Sequence, residues 1–335
     1  MGWNQNKKKS LFLSPYPSPP STQLRAGFSL RERECIFLIP QYCWSPYPAL
    51  YSQLYKSGAC KMTAEECLQQ GDLQGALSQL QEQVRAQPAK AEYRVFLFQL
   101  LSVMGQWDRA LTQLSVAGEL DAATLAMVAM YRQMIACERL REEVFLGRRD
   151  PVAFGQPEEW LALSLHALKL TAEGQYLKSQ DLREQAFDMA PAVSGSIDGT
   201  AFDWLADSDP RLGPVIEAMI EGRYFWIPLQ RIRSVNIEKP VDLRDVVWLP
   251  AHFTWTNGGE SYGVIPARYP ESYKNDDPLF ALSRKTAWQD CGNGLFLGIG
   301  QKTFTTESSD YALFDIRSIQ FDTADEEPAM EDSGG

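Results

Sequence analysis

Apolar and polar residues follow two different periods along this chain, and the change falls near Gly222. Between residues 62 and 189 the apolar residues recur every three or four positions, which is typical of helices with one buried face. Thr63 and Glu66 have the spacing of a capping box, so a helix is expected to begin there. Helices are predicted near residues 64–70, 73–86, 91–104, 107–117, 121–145, 158–173 and 176–189.

After Gly222 the apolar residues recur at every second position, which is typical of strands. Asn257-Gly258-Gly259 is a hairpin signal, because these residues adopt the turn conformations that join antiparallel strands. Since no long helix separates the strands, the sheet is expected to be mainly antiparallel. Strands are predicted near residues 223–229, 232–238, 251–256, 260–266, 294–305 and 311–320.

Three short segments around these strands carry a helical spacing instead. The first, 211–221, is predicted to be a helix because its apolar residues are three or four positions apart. The other two are 243–248 and 278–284.

The pattern of Gly71–Leu77 is repeated 34 residues later at Gly105–Leu111, and a degenerate third copy begins at Gly174. In the first two copies, glycine is followed by a large apolar residue two positions later and then by Ala-Leu. This is the tetratricopeptide (TPR) period, in which glycine turns the corner between two helices. We therefore predict a multidomain α and α+β protein, with a TPR-like α–α superhelix at 62–191 and a small, mainly antiparallel β-rich domain at 192–321.

Residues 1–61 differ from the rest of the chain in pattern and in charge. They lack both periods and carry eight Lys and Arg against two Glu, whereas the remaining 24 basic and 41 acidic residues give the rest of the chain a charge of −17. Met62 is interpreted as the natural start, with 1–61 as translated upstream sequence; the alternative is a genuine basic arm. Low order is expected for 1–61 and for the acidic tail 322–335.

The composition narrows the function classes. An acidic body argues against nucleic acid and against anionic membrane surfaces as partners. The sequence has no apolar run long enough to cross a bilayer. Six cysteines are scattered without a CxxC pair, which favours free thiols in a reducing compartment over a disulfide scaffold or a zinc site.

Catalytic, metal and cofactor motifs are not found. The chain has two histidines, His166 and His252, and they fall in different predicted domains. The pairs Asp207/Asp209 and Asp276/Asp277 flank prolines and are interpreted as turn residues first and as cation ligands second. The glycines of 291–300 lack the Lys-Ser/Thr of a P-loop, and Ser261 lacks a nucleophile elbow. We predict no catalytic residue, no cofactor and no metal.

Aromatic residues and arginines cluster in the second domain. Most of the aromatic residues are expected in the core, and Arg223, Arg244 and Arg268 are expected first to fix turns by pairing with Asp203, Asp242 or Asp245, and second to bind an acidic partner. The aromatic set is Tyr224, Phe225, Trp226, Trp248, Trp255, Tyr262, Tyr269 and Trp288.

Several segments, in one order, resemble the ImpE/SciE (TagJ) family of bacterial type VI secretion system accessory proteins. The resemblance covers about residues 62–321. The segments that carry it are Gly71–Leu77, Phe202–Pro214, Glu221–Pro228, Pro240–Trp248, Asn257–Gly259, Ile265–Pro270 and Leu282–Trp288.

The resemblance implies a cytoplasmic, non-enzymatic adaptor. Its implied partner is an amphipathic helix of the small sheath subunit, TssB (VipA-type), and its implied setting is near the sheath-recycling ATPase ClpV. Two alternatives remain: a generic TPR scaffold or co-chaperone, recognised by a Lys/Arg clamp in its groove, and an enzyme, recognised by a pocket with raised carboxylate pKa values in the second domain.

Aromatic and methionine side chains of the helical domain are the predicted contacts for a guest helix, since such residues are frequent interface anchors. The stripe Met127, Met130 and Met134 is interpreted first as core and, if exposed, as a surface for an apolar guest. The predicted partner-binding residues are Tyr93, Phe96, Trp107, Met127, Met130 and Tyr131.

Overall fold

A computed structural model describes residues 62–155 and 158–322. The expectations for 1–61 and for the tail after Asp322 lie outside the described residues. The seven long helices are confirmed, with ends close to the predicted ones. The helices are α1 Ala64–Gln69, α2 Leu73–Ala86, α3 Ala91–Val103, α4 Trp107–Leu120, α5 Leu125–Phe145, α6 Glu159–Ala172, α7 Tyr176–Met189 and the short α8 Pro278–Ala281.

Local sequence explains where the first helices begin. The Thr63 hydroxyl accepts a hydrogen bond from the Glu66 amide at 3.2 Å, and the Glu66 carboxylate accepts one from the Thr63 amide at 2.7 Å, so the predicted capping box is confirmed. Asp72 caps α2 by accepting from the Gly75 amide at 2.8 Å. Helices α1–α2, α3–α4 and α6–α7 pair as hairpins.

The second half of the chain is built on a mainly antiparallel sheet of nine strands, in the order β1-β6-β5-β9-β8-β7-β14-β2-β3. Only the β1–β6 pair is parallel among the described strands. A three-stranded sheet, β13-β12-β4, and a two-stranded ribbon, β10-β11, flank it. The strands are β1 Val152–Ala153, β2 Gly195–Ile197, β3 Thr200–Phe202, β4 Leu205–Asp207, β5 Val215–Ile220, β6 Arg223–Pro228, β7 Ile232–Ile237, β8 Trp248–Trp255, β9 Glu260–Pro266, β10 Thr286–Asp290, β11 Phe296–Gly300, β12 Thr303–Thr306, β13 Asp310–Ala312 and β14 Ser318–Phe321.

These findings confirm the predicted fold class, a TPR-like helical part followed by a mainly antiparallel β part. We call residues 62–191 the helical unit and residues 192–322 the β unit. The domain boundaries themselves stay a prediction, and β1, in a segment predicted to be a loop, adds a strand from the helical unit to the sheet.

The predicted helix at 211–221 is wrong, because this segment forms strand β5. All six β5 residues are buried, since strands β6 and β9 flank it and the helical unit covers one of its faces. A strand buried on both faces loses the alternation of apolar and polar residues. The spacing of Val215, Ile216 and Met219 therefore matched a helix by coincidence.

Other strand predictions need smaller corrections. The predicted strand 294–305 is broken into β11 and β12 by a turn at Gly300, whose φ of 87° is in the left-handed region. The predicted strand 311–320 is likewise interrupted, by a 3-10 turn at Leu313–Asp315. Trp248 begins β8 and does not end the helical segment before it, which is a 3-10 turn at Leu243–Val246. The hairpin at Asn257-Gly258-Gly259 is confirmed.

Two arginines of the β unit close the ends of two equivalent helices. Arg268 donates to the last carbonyls of α3, at 2.6 Å from the Val103 oxygen and 3.0 Å from the Ser102 oxygen. Arg284 donates to the Leu68 carbonyl oxygen at the end of α1, at 2.9 Å. Cationic groups suit a helix C-terminus, whose last carbonyls lack intrahelical partners.

The two glycine turns of the repeat pack against the same segment of the β unit. Gly105 has a φ of 65°, and a Cβ placed on it would lie 2.3 Å from the Tyr273 ring. At Gly71, a Cβ would lie 3.4 Å from Leu279. The turn of the third hairpin, at Gly174, has no atom within 4 Å of such a Cβ. The β unit thus docks on the first two hairpin turns and leaves the third open.

Candidate functional site

The predicted partner-binding residues are divided between the interior and the surface. Trp107 and Tyr131 are buried between the two units, where both rings lie beside Trp248, at centroid distances of 6.1 and 5.5 Å. The Trp107 indole and the Tyr273 hydroxyl both donate to the Glu142 carboxylate, at 2.8 and 2.6 Å. A guest does not reach these two side chains in this arrangement.

The other four predicted residues are at least partly accessible. Tyr93 and Phe96 are half-buried on α3, and the Lys90 ammonium lies 4.4 Å from the centre of the Tyr93 ring. Met127 is half-buried on α5, and Met130 is 43% exposed. The methionine stripe is therefore split, since Met134 is buried in the core.

An apolar surface surrounds Met130 at the corner between α4 and α5. Leu120 is 39% exposed and Leu125 is 54% exposed. Ala126 and Ala129 are exposed on α5, between Leu125 and Met130. We call Leu120, Leu125, Ala126, Ala129 and Met130 the α4–α5 surface. The sequence-based prediction did not include its two leucines, because it considered only aromatic and methionine residues. The helical period already assigns a buried face to each helix, so leucines outside that face are a signal of an exposed apolar surface.

The residues considered for catalysis lie apart, and His252 and Ser261 have structural partners. His166 is exposed on α6, whereas His252 stacks on Tyr262 in the sheet, with ring centres 4.4 Å apart. Ser261 accepts a hydrogen bond from the Trp255 indole at 3.1 Å. Within the described ranges, no three His, Cys, Asp or Glu side chains converge in a way that could hold a metal ion.

A buried network of charges occupies the junction between the units. Glu217 on β5 accepts from Arg141 of α5 at 2.6 Å, from the Lys302 ammonium at 2.6 Å and from the Tyr224 hydroxyl. Lys302 also contacts Asp207, at 2.8 Å. All of these side chains are buried. Lys302 and Arg141 therefore neutralise the carboxylates that a free cation would otherwise attract.

Asp209, the second residue of the Asp207/Asp209 pair, also has its carboxylate oxygens engaged by hydrogen-bond donors. Asp209 accepts from Arg211 at 2.6 Å and from the Gly298 amide at 2.8 Å. Asp207 accepts from the Tyr269 hydroxyl at 3.0 Å and from the Asp209 amide at 2.9 Å. The pair thus joins the glycine-containing ribbon to the centre of the β unit and leaves no position for a metal.

Burial and neighbouring charges shift the pKa values of Glu217 and Asp207 in opposite directions. Burial alone would raise the pKa of Glu217, but Arg141 and Lys302 outweigh it and lower that pKa to about 2. For Asp207 burial prevails over Lys302 and raises the pKa to about 6. The two pKa values shift in opposite directions because Glu217 faces two cations, whereas Asp207 faces one cation and a second carboxylate.

The arginines and aromatic residues mostly have the structural roles expected of them. Arg244 pairs with Asp242 and lies 3.9 Å from Asp245, as predicted. Arg268, however, caps α3, and Arg223 lies over the Phe225 ring at 5.2 Å, so the predicted aspartate pairing is wrong for these two. Six of the eight aromatic residues singled out are buried; Trp288 is half-buried and Tyr262 is 76% exposed.

Two further expectations concern thiols and membranes. Cys67, Cys137 and Cys291 are free, as predicted. In residues 62–155 and 158–322, none of the helices combines the length and apolar composition needed to cross a membrane.

Helical hairpins docked on an antiparallel sheet, with a buried charge network at the junction, define a two-unit helical-repeat protein. The ImpE family model matches residues 199–320. The type VI secretion system accessory component TagJ of Pseudomonas aeruginosa is 53% identical over 268 residues, which are 80% of this chain and 94% of that protein. The chain therefore belongs to the ImpE (TagJ) family of type VI secretion system accessory proteins.

A solved structure shares this fold. The crystal structure of protein VPA1032 from Vibrio parahaemolyticus superimposes with a TM-score of 0.71 at 25% sequence identity. The match covers 77% of this chain and 97% of that one, so it includes both units.

Proposed function

We propose that this protein is a non-enzymatic, cytoplasmic adaptor that binds an amphipathic helix of the small type VI sheath subunit, TssB, through the α4–α5 surface. In this role it assists sheath handling or recycling by the ClpV ATPase. The observation that carries the proposal is the exposure of Leu120, Leu125 and Met130 on the helical unit of a type VI accessory protein. Apolar side chains at helical spacing suit a guest helix with one apolar face.

The small residues of this surface favour a helical guest over a flat partner. Ala126 and Ala129 lie between the larger side chains of α5, so the backbone of a guest helix is able to approach closely. Gly118 permits a similarly close approach of α4 to α5 within the chain, since a Cβ on Gly118 would lie 3.2 Å from Val128. The surface is thus shallow and apolar, and its larger side chains provide anchors at both ends.

The alternatives have less support. An enzyme in the β unit predicts a raised carboxylate pKa beside a pocket; Asp207 has the raised pKa, but Lys302, Tyr269 and the Asp209 amide enclose its carboxylate. A TPR co-chaperone predicts a groove with a Lys/Arg clamp. The cleft at the hairpin turns is lined instead by Asp72 and Asp276, with no Lys or Arg among its lining residues.

A binding titration of the whole chain with TssB, with and without its N-terminal helical segment, tests the proposal. Saturable binding that requires the segment is expected, and Leu125→Asp with Met130→Asp should weaken it by about tenfold or more, since charges would enter an apolar contact. Leu177→Asp with Met189→Asp is the matched control, because these two residues are 63% and 48% exposed on α7, away from this surface. No binding at high micromolar concentration, or equal loss with the control, would contradict the adaptor role.

A further inference from the structure

Two arginines of the β unit contact the same pair of carbonyl groups in two copies of the repeat. In the second copy, Arg268 donates to the carbonyl oxygens of the residues three and two positions before Gly105, at 3.0 and 2.6 Å. In the first copy, Arg284 donates to those of the residues three and two positions before Gly71, at 2.9 and 3.2 Å. Each guanidinium thus binds both carbonyls, and a side chain of the β unit packs on the glycine beside them.

The third copy ends its first helix in the same way. In all three copies, the amide of the residue after the glycine donates to the carbonyl oxygen five positions before that residue, at 2.8 Å. Gly174 has a φ of 74°, close to the 65° of Gly105. The equivalent pair of carbonyls in the third copy is therefore that of Thr171 and Ala172, at the end of α6.

The third pair of carbonyls has no arginine. Among the described residues, the Gly174 amide donates to the Thr171 carbonyl at 3.0 Å, and no side chain donates to the carbonyl oxygen of Thr171 or Ala172. Lys169 and Lys178 bond other side chains, each at 2.9 Å. A Cβ on Gly174 would have no atom within 4 Å. The third copy thus presents to solvent the groups that the β unit covers in the other two copies.

Apolar side chains surround this open turn. Leu177 is 63% exposed and takes the place of Gln74 in the first copy and of Asp108 in the second. Leu146 is 42% exposed and precedes the glycine that packs on Ala172. The outer end of a repeat array is normally polar, so leucines at the open turn indicate a surface that a partner covers.

We propose that the third hairpin turn binds an arginine side chain of a partner protein, presented next to an apolar side chain. The two covered turns define this chemistry, because each takes a guanidinium on its carbonyls and the side chain of another residue on its glycine. A guanidinium suits two adjacent carbonyls better than an ammonium does, since its donors are fixed in one plane. The site lies on α6 and α7, so it goes beyond the adaptor role of the α4–α5 surface and does not depend on it.

Carbonyl chemical shifts of the isotope-labelled whole chain test the site. The probe is a blocked leucine–arginine–leucine tripeptide, compared with the lysine tripeptide of the same charge. We expect saturable shifts of the Thr171 and Ala172 carbonyls with the arginine peptide, and binding of the lysine peptide that is weaker by about fivefold or more. Unchanged shifts at these two carbonyls, or equal binding of the two peptides, would overturn the proposal.

Gly174→Ala is the matched variant, because its methyl group would meet no atom of this chain but would occupy the place of the partner's apolar group. It should weaken binding of the arginine peptide by about fivefold or more. Gly199→Ala is the control, since Gly199 has a φ of 83° and likewise no atom within 4 Å of an added Cβ.

The two glycine variants decide between docking at the turn and a general effect of backbone strain. Unchanged binding by Gly174→Ala, or equal loss in both variants, contradicts the proposal, whatever the result with TssB. Sedimentation of the whole chain without peptide adds a second criterion. A concentration-dependent dimer that Gly174→Ala abolishes would also overturn the proposal, because the occupant of the turn would then be a second copy of this chain.

Discussion

Glu217 shows how much a single residue contributes at the junction of the two units. Its carboxylate accepts from a helix residue, Arg141, and from a residue far along the chain, Lys302. Desolvation of such charges is compensated only while every partner is present. Removal of one partner therefore leaves an uncompensated charge in the interior, which costs more than the intact pair contributes.

Glu217→Gln is expected to lower the free energy of unfolding by about 3–5 kcal/mol, because Arg141 and Lys302 would keep their charges without this acceptor. The midpoint of guanidinium unfolding measures the loss. Glu260→Gln serves as the control, because the Glu260 side chain, which pairs with His252, is 61% exposed. The free energy of unfolding is expected to change by less than about 1 kcal/mol in this variant. Similar midpoints for the two variants would show that the network contributes little.

The same residue predicts a pH dependence. The folded pKa of Glu217, about 2, lies below its ordinary value of 4.5. The resulting stability is present above 4.5 and is lost as pH falls through 2, and it amounts to about 3 kcal/mol. The raised pKa of Asp207 acts oppositely, with stability lost as pH rises through about 6.

Urea unfolding at about pH 3.5 and about pH 2.5 isolates the Glu217 effect, because both values lie below 3.8, the ordinary pKa at which the contribution of Asp207 begins to change. The wild type should lose clearly more stability between these two pH values than Glu217→Gln does. Parallel losses in the two proteins would mean that the pKa of Glu217 is not lowered by folding.

At the scale of elements, the hairpin turns combine two roles. Gly71 and Gly105 end their helices in left-handed conformations, and both face side chains of the β unit. In a simple helical repeat such a glycine serves only the turn. Here the absence of a side chain also makes room for the docking segment.

Gly105→Ala is expected to reduce stability by about 1–3 kcal/mol more than Gly174→Ala, because only the first places a methyl group against the Tyr273 ring. Both glycines have positive φ, 65° and 74°, so the backbone strain is matched and cancels in the comparison. Thermal unfolding of the two variants provides the measurement. Equal destabilisation would indicate that the Tyr273 ring moves aside without cost.

The elements also show which parts of the fold the sequence predicts. Most of the long helices bury one face, so their period is visible in the sequence and predicts their ends to within a few residues. Helix α3 is an exception, because it is buried on every side over residues 97–103. Strand β5 is buried on both faces and has no such period, and β2, β3 and β4 have three residues each, too few for alternation to appear.

Partner choice at the junction was harder to predict than the elements. The Arg268 contact with α3 joins residues 165 positions apart, which no local pattern reveals. Trp107 and Tyr131 are predicted to contact a partner because aromatic residues are frequent at interfaces, but the interface they occupy is the one between the two units of the same chain. The exposure of Met130 was compatible with the prediction, and the binding role of all six residues stays a prediction.

At the scale of the whole molecule, the two units share one interior. The helical unit covers Glu217, Trp226 and Trp248 of the β unit, and the β unit closes the ends of α1 and α3. Neither unit retains a complete set of partners when the other is removed. The protein is thus expected to unfold as a single cooperative body.

A fragment of residues 192–335 is expected to lack fixed tertiary structure, because its buried carboxylate and two tryptophans would face water. Near-UV circular dichroism and dye binding should distinguish it from the whole chain, which keeps both units. A sharp unfolding transition of the fragment, at the midpoint of the whole chain, would show that the β unit is autonomous.

The arginine caps have a consequence for how this family diverges. Arg268 and Arg284 hold helix ends that are one 34-residue repeat apart, so the β unit fits an array of fixed copy number. Repeat arrays that stand alone gain or lose copies readily, because each repeat contacts only its neighbours. Here a duplicated hairpin between α2 and α3 would separate the two caps from their helices, so change is expected to proceed by substitution and by extension at the open third hairpin.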